Sequence, residues 1–116
     1  MKELCIRAGD QVLETIRNGS FSFDNITTYV GAAPGPRWLL ATGFDRSILK
    51  SGVLGNKRPV VLAGSSAGAL RFAALMQPEP EKSYEKLIDA YIAMHFTKKD
   101  TPETIMRSIR TVIDSY

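Results

Sequence analysis

The pentapeptide Gly64-Ser65-Ser66-Ala67-Gly68 is the feature that most constrains the fold of this 116-residue chain. It follows the apolar run Val60-Val61-Leu62-Ala63 and precedes a stretch of helix-forming residues that ends before Pro78. The pattern predicts a buried strand, a sharp turn and a helix, in that order. Glycines two positions on either side of Ser66 are typical of a turn at which backbone segments crowd together.

A strand, Gly-x-Ser-x-Gly and a helix are the order found at the nucleophile elbow of serine hydrolases. Ser66 is the candidate nucleophile because it is the central residue, and Gly64 and Gly68 are the small neighbours that the turn requires. The helix after Ser66 is expected to point its unpaired N–H groups and its positive dipole end at the serine. The alternative interpretation is a glycine-rich turn without chemistry.

A second glycine-rich loop, Gly31–Trp38, has the same arrangement. The short apolar run Ile26–Val30 precedes it, and a helical stretch, Trp38–Leu49, follows it. Small residues allow a backbone to approach a substrate oxygen closely, and acyl transfer needs backbone donors at the developing oxyanion. The loop is therefore a candidate oxyanion hole, and the alternative is an ordinary strand-to-helix turn with Pro36 at the first helical position.

The two loops together resemble the patatin-like phospholipase family. That family combines a glycine-rich loop ending in Gly-x-Arg/Lys with a Gly-x-Ser-x-Gly elbow, and Gly35-Pro36-Arg37 and residues 64–68 match these motifs. The resemblance covers about residues 28–78. It implies an α/β fold of the patatin-like type, with a parallel βαβ core and flanking helices.

The resemblance also implies an activity, the hydrolysis of carboxylic esters of lipids by a serine–aspartate dyad through an acyl-serine intermediate. Ser66 would be the nucleophile. The oxyanion hole would be formed at Gly35, Pro36, Arg37 and Ala67. No cofactor and no metal are implied, and the chain has no Cys/His cluster with metal-ligand spacing.

The chain departs from the family pattern at two points. Ala33 and Pro34 occupy positions that are usually glycine, and Pro34 has no N–H to donate. The family's base is an aspartate followed by Gly and then Gly or Ala, downstream of the elbow. None of the aspartates here has that context: Asp10, Asp24, Asp45, Asp89, Asp100 and Asp114. We therefore expect the dyad to be incomplete in this chain and the chain alone to have little esterase activity.

The predicted order of elements is helix, strand, helix, strand and then three helices. Both strands are interpreted as parallel strands buried on both faces. Because a two-stranded parallel sheet leaves two open edges, we expect residues 1–116 to be the N-terminal part of a larger patatin-like domain, and the alternative is a complete small protein. In this interpretation residues 31–38 are the oxyanion loop, residues 64–68 are the elbow and residues 80–116 are helical. The expected partners are the missing C-terminal half or further copies of the chain.

Composition restricts the partners and the location further. The net charge is +3, and no basic run is longer than Lys98-Lys99, so we expect no nucleic-acid partner. The charge suits an anionic membrane surface, and a solvated surface explains it equally well. No apolar run approaches the about 20 residues of a membrane span, and no secretory signal is evident at Met1-Lys2-Glu3-Leu4. The sole cysteine, Cys5, is expected to pack as a small apolar residue in a reducing cytoplasm.

The remaining segments are interpreted as helical scaffold. In the first helix one face contains Cys5, Ala8, Val12 and Ile16, and Asn18-Gly19 ends the helix. After Pro80, a second set of residues recurs at the spacing of one helix face: Tyr84, Leu87, Ile88, Tyr91, Ile92 and His95. The last helix begins at Asp100-Thr101-Pro102-Glu103 and continues to Tyr116.

Three side chains have alternative interpretations. His95, the only histidine, would be the general base of a Ser–His–acid triad in an α/β-hydrolase, but its helical spacing favours a core or boundary position. Trp38 is predicted to be a packing anchor rather than a substrate platform. Arg71 could contact a phosphate, and an ordinary surface arginine is the simpler prediction. A catalytically inactive remnant, or a module that binds an anion or lipid at the helix N-terminus after Ser66, is the non-enzymatic alternative.

Overall fold

A computed structural model describes residues 7–53, 55 and 57–116 of the chain. These residues form, in order, α1 (Asp10–Arg17), β1 (Thr28–Gly31), α2 (Thr42–Ser51), β2 (Val61–Gly64), α3 (Ala67–Leu75), α4 (Pro80–Ala93) and α5 (Pro102–Ile113). Short 3₁₀ segments at Phe23–Asn25 and Gly35–Ala41 precede β1 and α2. The predicted order of helices and strands is confirmed.

The two strands form a parallel sheet, with Thr28 opposite Val61 and Gly31 opposite Gly64. The mixed α/β class and the parallel strand–helix–strand connection are therefore confirmed. The helix α3, which follows β2 directly, packs against both strands. Because parallel strands end at the same edge of a sheet, the loops after β1 and β2 emerge side by side.

The prediction that both faces of the sheet are buried is wrong. Thr28, Val30, Val61 and Ala63 share the face opposite α3, and all four are exposed, Val30 to 79% and Val61 to 61%. Among the described elements, α3 is the main helix on the sheet, and it covers the other face. An apolar run predicts burial on both faces only where helices pack on both sides of the sheet, and here the described residues supply one side.

The hydrophobic core lies among the helices. Its buried members are Trp38, Ala67, Ala74, Tyr84, Leu87, Ile88 and Val112. The Trp38 ring meets the rings of Tyr84 and Tyr91 edge-on, with centroids 6.2 and 5.3 Å apart. Edge-to-face pairs of this kind add about 0.5–1.5 kcal/mol beyond the burial of their area. The prediction that Trp38 is a packing anchor is confirmed.

Two helix boundaries differ from the predictions at the start of the chain. The helix α1 begins at Asp10, so Ala8 precedes it, and Cys5 lies outside the described residues. No residue of α1 is buried. The stretch predicted as one helix from Trp38 begins instead with the 3₁₀ segment and becomes α-helical at Thr42, where the Thr42 hydroxyl donates to the Leu39 carbonyl.

The two C-terminal helices are shorter than the sequence pattern suggested. The helix α4 ends at Ala93, so His95 lies beyond it and is exposed, and its predicted place on a buried helical face is wrong. The predicted start of α5 is confirmed, because Thr101 caps the helix and exchanges hydrogen bonds with Thr104. This helix ends at Ile113 rather than Tyr116, with Asp114 as its C-cap.

Candidate active site

Ser66 has a strained backbone at the end of the sheet. Its φ of 50° and ψ of −121° make it the one non-glycine residue with positive φ in the described part of the chain. For a residue with a Cβ this conformation costs about 1–3 kcal/mol, and such strain concentrates at active sites. Ser66 is also exposed and is the N-cap of α3. The predicted sharp turn between strand and helix is therefore confirmed, with its strain at the candidate nucleophile.

The two flanking glycines are needed because backbone segments approach each other closely. A Cβ on Gly64 would lie 2.6 Å from the backbone nitrogen of Ala69. A Cβ on Gly68 would overlap the Gly31 carbonyl and lie 2.7 Å from the carbonyl oxygen of Ala32. Real Cβ atoms essentially never come this close to backbone atoms, and a backbone cannot rotate away as a side chain does. The physical reason predicted for the Gly-x-Ser-x-Gly spacing is thus confirmed.

The start of the glycine-rich loop lies against the elbow. Gly31, the last residue of β1, is paired with Gly64 and accepts a hydrogen bond of 3.2 Å from the Ser65 N–H. Further along, the 3₁₀ segment Gly35–Ala41 packs on α3. The structure therefore brings together the two loops that the sequence singled out.

Two of the predicted oxyanion-hole residues have backbone N–H groups that are free in the part of the chain the structure describes. The N–H groups of Gly35 and Ala67 donate no hydrogen bond to any described residue. Gly35 has a φ of +58°, which favours glycine, and nothing lies within 4 Å of a Cβ built on it. Pro36 has no N–H, and Arg37 is exposed and forms no ion pair with a described residue.

The described residues provide no hydrogen-bonded base for Ser66. Its hydroxyl makes no hydrogen bond within the described ranges, either with the exposed His95 or with a carboxylate. Asp24 pairs with Lys57, and Asp100 accepts hydrogen bonds from Thr97 and Thr104. The other aspartates outside the core are exposed: Asp10, Asp89 and Asp114.

Arg71 is not the surface arginine that the sequence suggested. Only 12% of its side chain is exposed, and its Nε and Nη2 donate to the two carboxylate oxygens of Asp45 at 2.9 and 2.6 Å. Asp45 is 4% exposed and also accepts a hydrogen bond from the hydroxyl of Tyr84. The helix α3 turns Arg71 inwards, and the carboxylate on α2 compensates its charge. A single-sequence pattern gives no signal for this pairing, because Asp45 and Arg71 are 26 positions apart.

The third member of this cluster, Tyr84, is fully buried. Burial, and then the hydrogen bond to Asp45, raise the pKa of Tyr84 well above its ordinary value. The hydroxyl is therefore even less acidic than that of a free tyrosine, and it donates its hydrogen bond to the Asp45 carboxylate. Asp45 thus has hydrogen-bond donors on both of its oxygens, as a buried carboxylate requires.

Comparisons with known proteins identified no relative of this chain. No protein-family profile matches the chain, and no curated protein or solved structure matches it significantly. Within residues 7–53, 55 and 57–116, no helix has the length and apolar character needed to cross a membrane. The same residues contain no group of three or more His, Cys, Asp or Glu side chains that could hold a metal ion.

Proposed function

We propose that this chain contains the nucleophile of a patatin-like serine hydrolase that acts on carboxylic esters of lipids. The observation that supports this most strongly is the backbone of Ser66, which is strained, exposed and located between β2 and α3. Strain of this kind persists only where the surrounding structure imposes it, and the backbone is closely packed on both sides of Ser66, at Gly64 and Gly68.

The proposed reaction begins with attack of the Ser66 hydroxyl oxygen on the ester carbonyl carbon. The tetrahedral intermediate expels the alcohol and leaves an acyl-serine, which water then hydrolyses to the free acid. The free N–H groups of Gly35 and Ala67 are the proposed donors to the oxyanion, assisted by the positive end of the α3 dipole. The Ser66 proton passes to a base, and the proposed base is an aspartate that is not part of this 116-residue chain.

The lipid character of the substrate and the patatin-like form of the fold depend on the resemblance of residues 35–37 and 64–68 to the family motifs. The structure supports the proposal at the level of the loops, since both motifs follow parallel strands that are neighbours. In the larger domain that we propose, further strands would extend the two-stranded sheet and supply the aspartate.

A second candidate is a non-catalytic module, either an inactive remnant or a domain that binds an anionic or lipid ligand. The observation that favours it is that no described acid or histidine is hydrogen-bonded to the Ser66 hydroxyl, together with the free N–H of Ala67 at the start of α3. An α/β-hydrolase-type esterase that uses His95 is a third candidate, and it requires the exposed His95 to reach Ser66.

A slow acylation experiment tests the proposal on the chain itself. The chain is incubated with excess p-nitrophenyl ester of a medium-length fatty acid, and its intact mass is followed over hours. We expect one acyl group at Ser66, located by peptide mapping that separates it from acylated amines and the Cys5 thiol, and little turnover, since both steps lack a base. The Ser66→Ala variant should lack this adduct, whereas Ser65→Ala should be acylated at Ser66 like the parent chain.

Other results would contradict the proposal or favour another candidate. Acylation that persists in Ser66→Ala would exclude Ser66 as the nucleophile. A chain that stays unmodified but binds an anionic lipid vesicle would favour the non-catalytic module. Rapid turnover abolished by both Ser66→Ala and His95→Ala would favour the triad.

A further inference from the structure

The buried cluster of Asp45, Arg71 and Tyr84 joins three helices at a single carboxylate. Asp45 belongs to α2, Arg71 to α3 and Tyr84 to α4. Both Asp45 oxygens are used, one by Arg71 Nη2 and the other by Arg71 Nε and the Tyr84 hydroxyl. A two-point arginine–carboxylate pair fixes orientation as well as distance, so the cluster restrains the position of α2 relative to α3.

The cluster also lies on the two elements that follow the glycine-rich loop and the elbow. Asp45 is in the first turn of α2, which continues directly from the 3₁₀ segment that begins at Gly35. Arg71 is five residues after Ser66, in the helix that Ser66 caps. The ion pair therefore connects the element that follows the oxyanion loop to the element that follows the nucleophile.

We propose that Asp45, Arg71 and Tyr84 are positioning residues that hold the Gly35 N–H at the correct distance from Ser66. This inference rests on the proposed function, because the position of an oxyanion donor matters only if Ser66 attacks a carbonyl. A misplacement of about 1 Å can cost on the order of a hundredfold in rate. Nothing lies within 4 Å of a Cβ built on Gly35, and the segment that follows it is also held by Trp38, which packs in the helical core.

Burial makes this cluster suited to positioning, in contrast to a neighbouring ion pair. Arg46 on α2 and Glu85 on α4 form a two-point pair one residue away from Asp45 and Tyr84. Their side chains are 44% and 50% exposed, so water competes for their hydrogen bonds. This pair connects α2 to α4 and does not involve α3, which makes Glu85→Gln a matched control.

The test compares the acylation kinetics of the parent chain with those of Tyr84→Phe, Asp45→Asn and Glu85→Gln. Acylation by the p-nitrophenyl ester is measured by intact mass over a range of ester concentrations, at a temperature where circular dichroism shows each variant fully folded. We expect the maximal rate to fall about tenfold or more in Asp45→Asn and several-fold in Tyr84→Phe. The ester concentration that gives half the maximal rate should change little, and Glu85→Gln should stay within about twofold of the parent chain.

A combined variant keeps the test decisive if a single substitution prevents folding. Asp45→Leu with Arg71→Met and Tyr84→Phe replaces the whole buried cluster by apolar side chains and leaves no buried hydroxyl without a partner, an exchange that often preserves stability. We expect this variant to fold and still acylate at least tenfold more slowly, because packing alone lacks the directional bonds.

The two proposals fail in distinguishable ways. If the parent chain is acylated at Ser66 and the folded variants match its maximal rate, the positioning role is overturned and the proposed function stands. If the parent chain is not acylated at Ser66, the proposed function is overturned and the positioning role with it.

Discussion

At the scale of single residues, Ser66 adopts a strained backbone conformation that exposes its side chain. Its positive φ places the side chain outside the turn, where a substrate can reach it, and costs about 1–3 kcal/mol in a residue that has a Cβ. Glycine adopts the same conformation without that penalty. The energetic cost of the serine can therefore be measured independently of any activity.

We predict that Ser66→Gly raises the free energy of unfolding by about 1 kcal/mol, because glycine relieves the strain. The matched control is Ser65→Gly, at a neighbouring position without positive φ, which should lower it by about 0.5 kcal/mol. Urea unfolding of both variants and of the parent chain gives these differences. Destabilisation by Ser66→Gly would show that the serine is not strained.

At the scale of elements, the essential contact is the close approach of α3 to the end of β1. Gly31 and Gly68 face each other with no room for a side chain on either, so the first turn of α3 lies directly on the strand end. This contact fixes where the elbow stands relative to the loop after β1. Its stability is consequently tied to the geometry of the candidate site.

We predict that Gly68→Ala lowers the free energy of unfolding by about 3 kcal/mol, since its Cβ would meet the Gly31 carbonyl and the backbone would have to move. Gly43→Ala in α2 is the control, because nothing lies within 4 Å of the added Cβ. It should raise stability by about 0.5–1 kcal/mol, as expected for alanine in a helix. Thermal and urea unfolding measure both, and a Gly68→Ala chain of normal stability would disprove the close contact.

The elbow could be predicted from sequence because local rules determine it. A strand, a turn flanked by glycines at positions 64 and 68, and a helix are all encoded within about 20 residues of Ser66. The strained backbone of Ser66 could not be predicted from the sequence. The spacing of the glycines suggested only that backbone segments crowd together at this turn.

The buried cluster could not be predicted, because its members come from three helices. Asp45 and Tyr84 are 39 positions apart, and nothing near either residue indicates the other. The exposure of His95 was missed for a related reason. Helical spacing continues through it, whereas α4 ends two residues earlier, at Ala93. Periodicity identifies the face of a helix more reliably than the residue at which the helix stops.

At the scale of the whole molecule, the core is displaced from the sheet. The buried residues lie among the helices, while one face of the two strands is exposed. The radius of gyration is 16.6 Å, compared with about 13 Å for a compact domain of 100 residues. The described residues therefore form a helical layer on one side of a sheet whose other side they leave open.

We predict that Val30→Thr and Val61→Thr each change the free energy of unfolding by less than about 0.5 kcal/mol, because both side chains are mostly exposed. Leu87→Ala, in the helical core, is the contrasting variant and should cost about 2–5 kcal/mol. Urea unfolding distinguishes these values. A loss of 2 kcal/mol or more (on the scale of a buried side chain) from either valine substitution would mean that the chain covers this face.

The central claim is that Ser66 is a nucleophile, and covalent labelling with a fluorophosphonate probe tests it most directly. The probe phosphonylates an activated serine with loss of fluoride, and peptide mass mapping identifies the modified residue. In the larger domain that supplies the proposed aspartate, we predict a single adduct on Ser66, retained in Ser65→Ala and absent from Ser66→Ala. An adduct on Ser65, or labelling that continues unchanged in Ser66→Ala, would contradict the account.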